Sequence, residues 1–175
     1  MNEKKPVFTA KSLALAAVLL ALCILFQCLK SFSVYITGSA VNAILVLATL
    51  YCGLVGGLGI AVLSPVVAAI LGATPIINMI PLMMVVIMVG NAILVLFTWA
   101  MRKKLIVGLL IGSVGKAAFL WLTVWYVMLP VFGANVPAPA QAAMRVTFSV
   151  TQLVAALIGS AIAWVIYGRL KAIRK

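Results

Sequence analysis

Acidic side chains are almost absent from this chain of 175 residues, which contains no aspartate and a single glutamate, Glu3. Histidine is absent as well. Hydrolases of the membrane interior use an aspartate pair, a histidine-containing metal site or a serine beside a base. The sequence therefore predicts a protein that is not an enzyme, with no catalytic residues, no bound metal and no cofactor.

Charged residues of any kind are also scarce, at 8 % of the chain, whereas hydrophobic residues make up 67 %. Soluble domains contain about 25 % charged and roughly 45–50 % apolar residues. Three cysteines, an odd number, lie in or beside apolar segments and are interpreted as small hydrophobic residues. The composition predicts an integral membrane protein with the lipid bilayer as its surroundings.

Apolar runs long enough to cross a bilayer, about 20 residues each, divide the chain into six segments. They cover about 9–29, 36–52, 54–72, 76–101, 105–129 and 141–168. No small-x-small cleavage site follows the first run, which is therefore expected to be retained. We predict an all-α membrane protein, a compact six-helix bundle forming one domain over 1–175. A partly re-entrant segment over 52–75 is the alternative at the least distinct boundary.

The net charge of +12 comes from thirteen lysines and arginines, most of them at the ends of apolar runs. In a soluble protein such an excess suggests nucleic-acid binding, but here it indicates topology, and no nucleic-acid partner is expected. Six spans place ten of these residues on one side, which the positive-inside rule makes cytoplasmic together with both termini. The ten are Lys4, Lys5, Lys11, Arg102, Lys103, Lys104, Arg169, Lys171, Arg174 and Lys175, whereas Lys30 and Arg145 lie near the other face.

Small residues form a stripe on the first predicted helix. Ala10, Ala14, Ala17 and Ala21 recur at i, i+4, i+7 and i+11, so they share one face. Such stripes allow helix backbones to approach closely in lipid. The stripe predicts either packing within the bundle or docking of a partner chain.

The segment "GSVGKA" resembles a phosphate-binding loop but lacks its required residues. The P-loop pattern G-x-x-x-x-G-K-[ST] is broken because Leu110 replaces the first glycine and Ala117 the hydroxyl residue. Lys116 instead lies 11 residues after Leu105, about 16 Å along a helix and near mid-membrane. A charge at that depth marks a functional site by default. An uncharged amine, a cap on backbone carbonyls and a polar or anionic ligand are the open explanations.

Other polar side chains are candidates for the same pocket, and Gln152 lies at a depth similar to that of Lys116. Arg145, Ser149 and Gln152 share one face of the sixth span, which continues in small residues toward the cytoplasm and predicts a dead-ended pocket. Further candidate binding residues are Asn42, Asn78, Trp121, Trp125 and Tyr126. The three aromatic residues are explained either by an interfacial belt or by stacking on a flat ligand. Asn91, on nearly the opposite face from Asn78, is assigned to an interhelical hydrogen bond.

The segments "YITGSAVNAILVLATLYCGLVGGLGIAVLSPVVAAILG", "GNAILVL", "GKAAFLWL" and "FSVTQLVAALIGSAIAWVIYGRLK" carry a family resemblance. The chain resembles the substrate-binding S component of energy-coupling factor (ECF) transporters over about 9–171. The resemblance implies a prokaryotic plasma-membrane subunit that binds a vitamin or related micronutrient from outside. It also implies a separate transmembrane coupling subunit and two cytoplasmic ATPases as partners. Ala17 and Ala21 match the docking stripe of the family, extended here by Ala10 and Ala14.

The ligand and the mode of transport stay open at this stage. The absence of acids in the spans argues against a cationic ligand, whereas Lys116 and Arg145 favour a carboxylate or several acceptors. Pantothenate and a flat heterocycle are candidates. The alternative function is a self-sufficient secondary carrier or facilitator for a small polar or anionic solute. That class is expected to have inverted repeats and coupling carboxylates, and neither is apparent. A scaffold subunit without a ligand is a third hypothesis.

Overall fold

A computed structural model describes residues 9–29, 33–72 and 75–173, and the regular elements within these ranges are helices. Six charged residues lie outside these ranges, namely Glu3 and five of the basic residues from which the topology was predicted, Lys4, Lys5, Lys30, Arg174 and Lys175. The α-helices are α1 Ala10–Cys28, α2 Val34–Ile70, α3 Pro75–Met79, α4 Leu82–Ala100, α5 Leu105–Thr123, α6 Leu129–Phe132, α7 Ala138–Thr147 and α8 Val150–Ile173.

Five helical stretches of the described chain are long and apolar enough to cross a membrane. The Thr9 side chain accepts a hydrogen bond from the backbone N–H of Ser12, and Ser33 does the same for Ile36, so α1 and α2 begin with side-chain caps. α2 lies centrally and contacts α1, α4 and α8, while α5 packs between α4 and α8. The all-helical membrane class predicted from the sequence is confirmed.

α2 is 37 residues long because it contains a reversal at Gly53. Gly53 has φ 78° and ψ −176°, a conformation that residues with a side chain rarely adopt. A Cβ added to Gly57 would lie 3.2 Å from the Cα of Thr49, although eight residues of straight helix span about 12 Å. The chain therefore folds back on itself, and 34–52 and 54–70 form a helical hairpin. Residues 54–70 are helical throughout.

Three of the predicted runs are interrupted in the structure. The run 76–101 is divided into α3 and α4 next to Pro81, which caps α4 and has no N–H to donate. The run 105–129 changes from α5 to a widened π turn, Val124–Met128, just before Pro130. The run 141–168 is divided into α7 and α8 at Phe148–Ser149, where the Ser149 hydroxyl donates to the Val146 carbonyl at 2.8 Å.

Small residues bring α8 against the first half of α2. A Cβ added to Gly38 would lie 3.2 Å from the Cβ of Ala155. At Gly159, an added Cβ would meet the Ser39 carbonyl oxygen, and it would lie 2.7 Å from the Asn42 Cβ and 2.9 Å from the Ala43 nitrogen. Here backbone packs directly on backbone. We call this contact, formed by Gly38, Ser39, Asn42, Ala43, Ala155 and Gly159, the α2–α8 seam.

Gly159→Ala should destabilise the protein, because the new methyl group has no room at the seam. Overpacking of this kind typically costs about 1–3 kcal/mol, so the midpoint of thermal unfolding in detergent should fall. Gly168→Ala is the matched control, since a Cβ at Gly168 meets nothing within 4 Å. It should leave the midpoint unchanged or raise it slightly, because alanine favours helix over glycine by up to about 1 kcal/mol. Equal midpoints for the two variants would contradict the seam.

Candidate functional site

Lys116 lies in the middle of α5 and is 3 % exposed. Its Nζ donates to the Oδ1 atom of Asn42 on α2 at 2.6 Å and to that of Asn91 on α4 at 2.7 Å. Two amide oxygens directed at one amine suit an ammonium, which donates hydrogen bonds and does not accept them. Three helices are thereby joined at one cation. Because residues 112–117 are a continuous part of α5, they do not form a phosphate-binding loop.

Asn91 has a second contact, in which its Nδ2 donates to the Ala61 carbonyl oxygen at 3.5 Å. Ala61 lies on the second half of α2, so the interhelical hydrogen bond predicted for Asn91 is confirmed. Asn91 was not among the binding residues predicted from the sequence. Its buried position on α4, 3 % exposed, brings its oxygen to the ammonium and makes it a wall of the site.

A cavity of about 300 Å³ lies beside this cluster. It is bounded by the end of α1, the first half of α2, and parts of α3, α4, α5 and α8, together with the α7–α8 junction. Its polar lining residues are Gln27, Thr37, Asn42, Asn91, Lys116, Thr147 and Gln152. The larger apolar lining residues are Val34, Val41, Pro75, Ile76, Ile87, Leu120 and Phe148. The cavity therefore combines a polar group around one cation with apolar walls, as small-molecule sites do.

Two of the polar lining residues have local partners that fix their orientation. The Thr37 hydroxyl donates to the Ser33 carbonyl at 2.8 Å, which leaves its oxygen as an acceptor. The Gln27 amide nitrogen donates to the Cys23 sulfur at 3.7 Å, which leaves its second N–H and the amide oxygen for other partners. Polar side chains at the adjoining ends of two apolar runs are the sequence signal by which both residues could have been found.

The structure brings three of the sequence-predicted binding residues together at the cavity, namely Lys116, Gln152 and Asn42. Arg145 is placed elsewhere, with its guanidinium carbon 4.5 Å from the centre of the Trp125 ring. Arg145 belongs to α7 and Gln152 to α8, so the face that they were predicted to share is broken between them. The lining does not include Ser149, whose hydroxyl is used within its own turn.

The remaining predicted residues lie outside the cavity as well. Asn78 is an exposed residue of the short helix α3. Trp121 and Tyr126 are 39 % and 67 % exposed, with ring centres 6.1 Å apart. Trp125 is partly buried beneath Arg145. None of the four is among the residues described as lining the cavity, and the exposed rings suit the interfacial interpretation.

A larger hollow of about 530 Å³ lies between α1, α2 and α8, but its lining is almost wholly apolar. Ile158 and Ile162 contribute to it and are more than 40 % exposed. It is a shallow lipid-facing groove with no charged side chain in its lining. The smaller cavity beside Lys116 is therefore the candidate binding site.

Comparison with known families agrees with the all-helical membrane fold. The family model of the substrate-specific component of ECF transporters matches residues 11–170, nearly the whole chain. The chain belongs to this family. It is thus a substrate-specific, non-enzymatic subunit of an ECF transporter, and a multi-pass protein of a prokaryotic plasma membrane. No curated protein and no solved structure gives a match.

Proposed function

We propose that this S component captures a vitamin or related micronutrient at the cavity beside Lys116 and delivers it through an ATP-driven ECF importer. The observation that carries the proposal is a buried ammonium, ordered by Asn42 and Asn91, in the wall of a cavity of about 300 Å³. A buried ionisable residue beside a cavity inside a membrane bundle is the expected form of a solute site.

The proposed topology has six crossings in one domain, with both termini in the cytoplasm. The hairpin at Gly53 supports it by dividing α2 into two antiparallel halves. Arg102, Lys103 and Lys104 precede α5, and Arg169 and Lys171 lie near the end of α8. The cavity lies in the other half of the bundle, beside residues from the end of α5 and the start of α8. The positive-inside rule then makes the cavity accessible from outside.

Helix α1 offers a surface for the coupling subunit. Ala10, Ala14, Ala17 and Ala21 are all exposed. The buried residues of α1 are Leu19, Cys23 and Gln27, and at about 100° per residue they lie on roughly the opposite side of the helix. The bundle packs on one side of α1 and leaves the small-residue stripe uncovered, which supports docking rather than internal packing.

The energy source in this proposal is a pair of ATPase chains, because the P-loop-like segment is part of α5. The carrier hypothesis needs a route from the cavity to the other face. The α2–α8 seam and the hydroxyl pair of Ser113 and Ser160, 3.1 Å apart, occupy the space toward the basic end. This close packing favours capture over independent transport.

Proteoliposomes test the proposed function directly. Vesicles with this chain alone should bind the solute but should not accumulate it. Vesicles that also contain a coupling subunit and two ATPases should accumulate it when ATP is enclosed, and a non-hydrolysable ATP analogue should abolish uptake. Uptake by the chain alone, down a solute gradient and without ATP, would establish the carrier instead.

Gln152→Leu should weaken solute binding by on the order of tenfold, because it removes a hydrogen-bonding group from the cavity wall. Arg145→Leu should change the affinity by less than about threefold, since the guanidinium lies over Trp125 and not in the cavity. Equilibrium binding to the two purified variants gives the comparison. A larger loss in Arg145→Leu than in Gln152→Leu would place the site nearer to α7.

A further inference from the structure

The charge in the cavity limits the class of its ligand. Lys116 is the one ionisable side chain among the residues described as lining the cavity. The only acidic side chain of the whole chain is Glu3, near the N-terminus. A cationic solute would bring a like charge to an ammonium with no carboxylate in the cavity wall, and such an arrangement is costly at low dielectric.

The number of cationic side chains among the described lining residues limits the number of negative charges that the ligand can carry. The second cation that the sequence analysis placed here, Arg145, lies over the Trp125 ring and outside the lining. Among the described lining residues, a phosphate monoester or dicarboxylate would place two negative charges against one ammonium and leave one of them uncompensated. The electrostatics therefore favour a single negative charge.

The hydrogen-bonding groups near the ammonium favour an acceptor on the ligand. Because the Asn42 Oδ1 accepts from Lys116, this amide contributes chiefly its N–H donors to the cavity. Asn91 uses its oxygen on Lys116 and directs its nitrogen to Ala61. An ammonium beside amide N–H groups matches the two oxygens of a carboxylate, which accept hydrogen bonds and do not donate.

The other lining residues and the cavity volume indicate the polarity and the size of the rest of the ligand. Ile76, Ile87, Leu120 and Phe148 form apolar walls. Gln27 adds an acceptor and one N–H donor, and Thr37 adds an acceptor. The volume of about 300 Å³ corresponds to about ten water molecules at about 30 Å³ each. It suits a molecule on the order of ten to fifteen non-hydrogen atoms.

We propose that the ligand is a monocarboxylic acid of this size, whose carboxylate binds Lys116 and Asn42 and whose uncharged body lies against the apolar walls. This inference rests on the proposed capture function and adds the chemical class of the solute. It excludes cationic, phosphorylated and dicarboxylic solutes from this site.

The test starts with the molecule that the protein itself selects. The full chain is expressed in bacteria in rich medium and purified in lipid nanodiscs, and its bound small molecules are extracted and identified by mass spectrometry. Treatment of the extract with acidic methanol should add one methyl ester to the bound molecule. Lys116→Gln should lower its recovery by more than about tenfold, whereas the exposed Lys171→Gln should recover as much as the unmodified chain.

A matched pair of ligands then measures how much the carboxylate charge contributes to binding. The identified acid should bind the unmodified protein more than about tenfold more tightly than its own primary amide, and Lys116→Gln should abolish this preference. A bound molecule that is neutral, cationic or esterified more than once overturns the ligand class and leaves capture intact. If no molecule co-purifies and no compound from a panel of water-soluble vitamins raises the unfolding temperature, the proposed function itself fails.

Discussion

Lys116→Met should weaken solute binding by more than about tenfold, the largest loss expected from any single substitution in the cavity. A hydrogen bond to a charged group typically contributes about 1.5–3 kcal/mol, and Lys116 is the one cation among the described residues of the cavity wall. Titration of the solute against the purified protein measures the loss. Lys171→Met, which removes an exposed lysine, is the control and should bind normally. Normal affinity in Lys116→Met would remove this residue from the site.

Substitutions of Lys116 and Asn91 should have strongly non-additive effects on the stability of the protein. Asn91→Leu takes an acceptor away from the buried ammonium, a change that costs several kcal/mol in comparable sites. With methionine at position 116 that charge is gone, so the double variant Lys116→Met/Asn91→Leu should unfold at a higher temperature than Asn91→Leu alone. Additive effects would mean that the 2.7 Å contact contributes little to the fold.

Ala17→Leu combined with Ala21→Leu should abolish ATP-driven uptake and leave solute binding unchanged. Each substitution adds a branched side chain to the exposed stripe of α1, where close approach of a second helix needs small residues. Neither residue lines the cavity, so the affinity of the isolated subunit should not change. Co-purification with the coupling subunit measures docking, and vesicle uptake measures transport.

The matched control for this double variant is Ala118→Leu, which adds the same side chain at an exposed position of α5. It should leave docking and uptake intact. If the double variant of α1 still assembles and transports, the stripe faces lipid and the coupling subunit binds elsewhere. If Ala118→Leu also blocks assembly, the docking surface extends to α5 and is not specific to α1.

Much of this architecture follows from the sequence, because apolar length and small-residue spacing act locally. The boundary predicted between 52 and 54 coincides with the reversal at Gly53. Lys116 and Asn42, both predicted from the sequence to line one pocket, are in direct contact. Gly108 and Gly112 on α5 pack closely against the last part of α4, since an added Cβ at either would lie within 3.4 Å of atoms of Met101, Phe97 or Leu94.

The predictions that fail in the structure share one physical origin. Helical spacing relates two residues only if the helix between them is unbroken. The helix break at Phe148–Ser149 separates Arg145 from Gln152. No glycine or proline near the break indicates it in the sequence. Pro81 lies between Asn78 and Asn91 and puts them on two different helices, α3 and α4. The opposite faces predicted for them on one continuous helix therefore do not describe their positions. Asn91 therefore contacts Lys116 in the structure, although only an interhelical hydrogen bond was predicted for it.

The α2–α8 seam has a consequence for how the solute leaves. At Gly159 there is no side chain that could swing aside, since the neighbours of the missing Cβ include backbone atoms of Ser39 and Ala43. Opening a path there would mean separating two entire helices. Rigid-body reorientation of the subunit in the bilayer is what the resemblance to ECF substrate-specific components implies for delivery, and close packing of α2 on α8 is compatible with such a motion. A motion of that kind would make the rate of delivery depend on acyl-chain length and lipid fluidity.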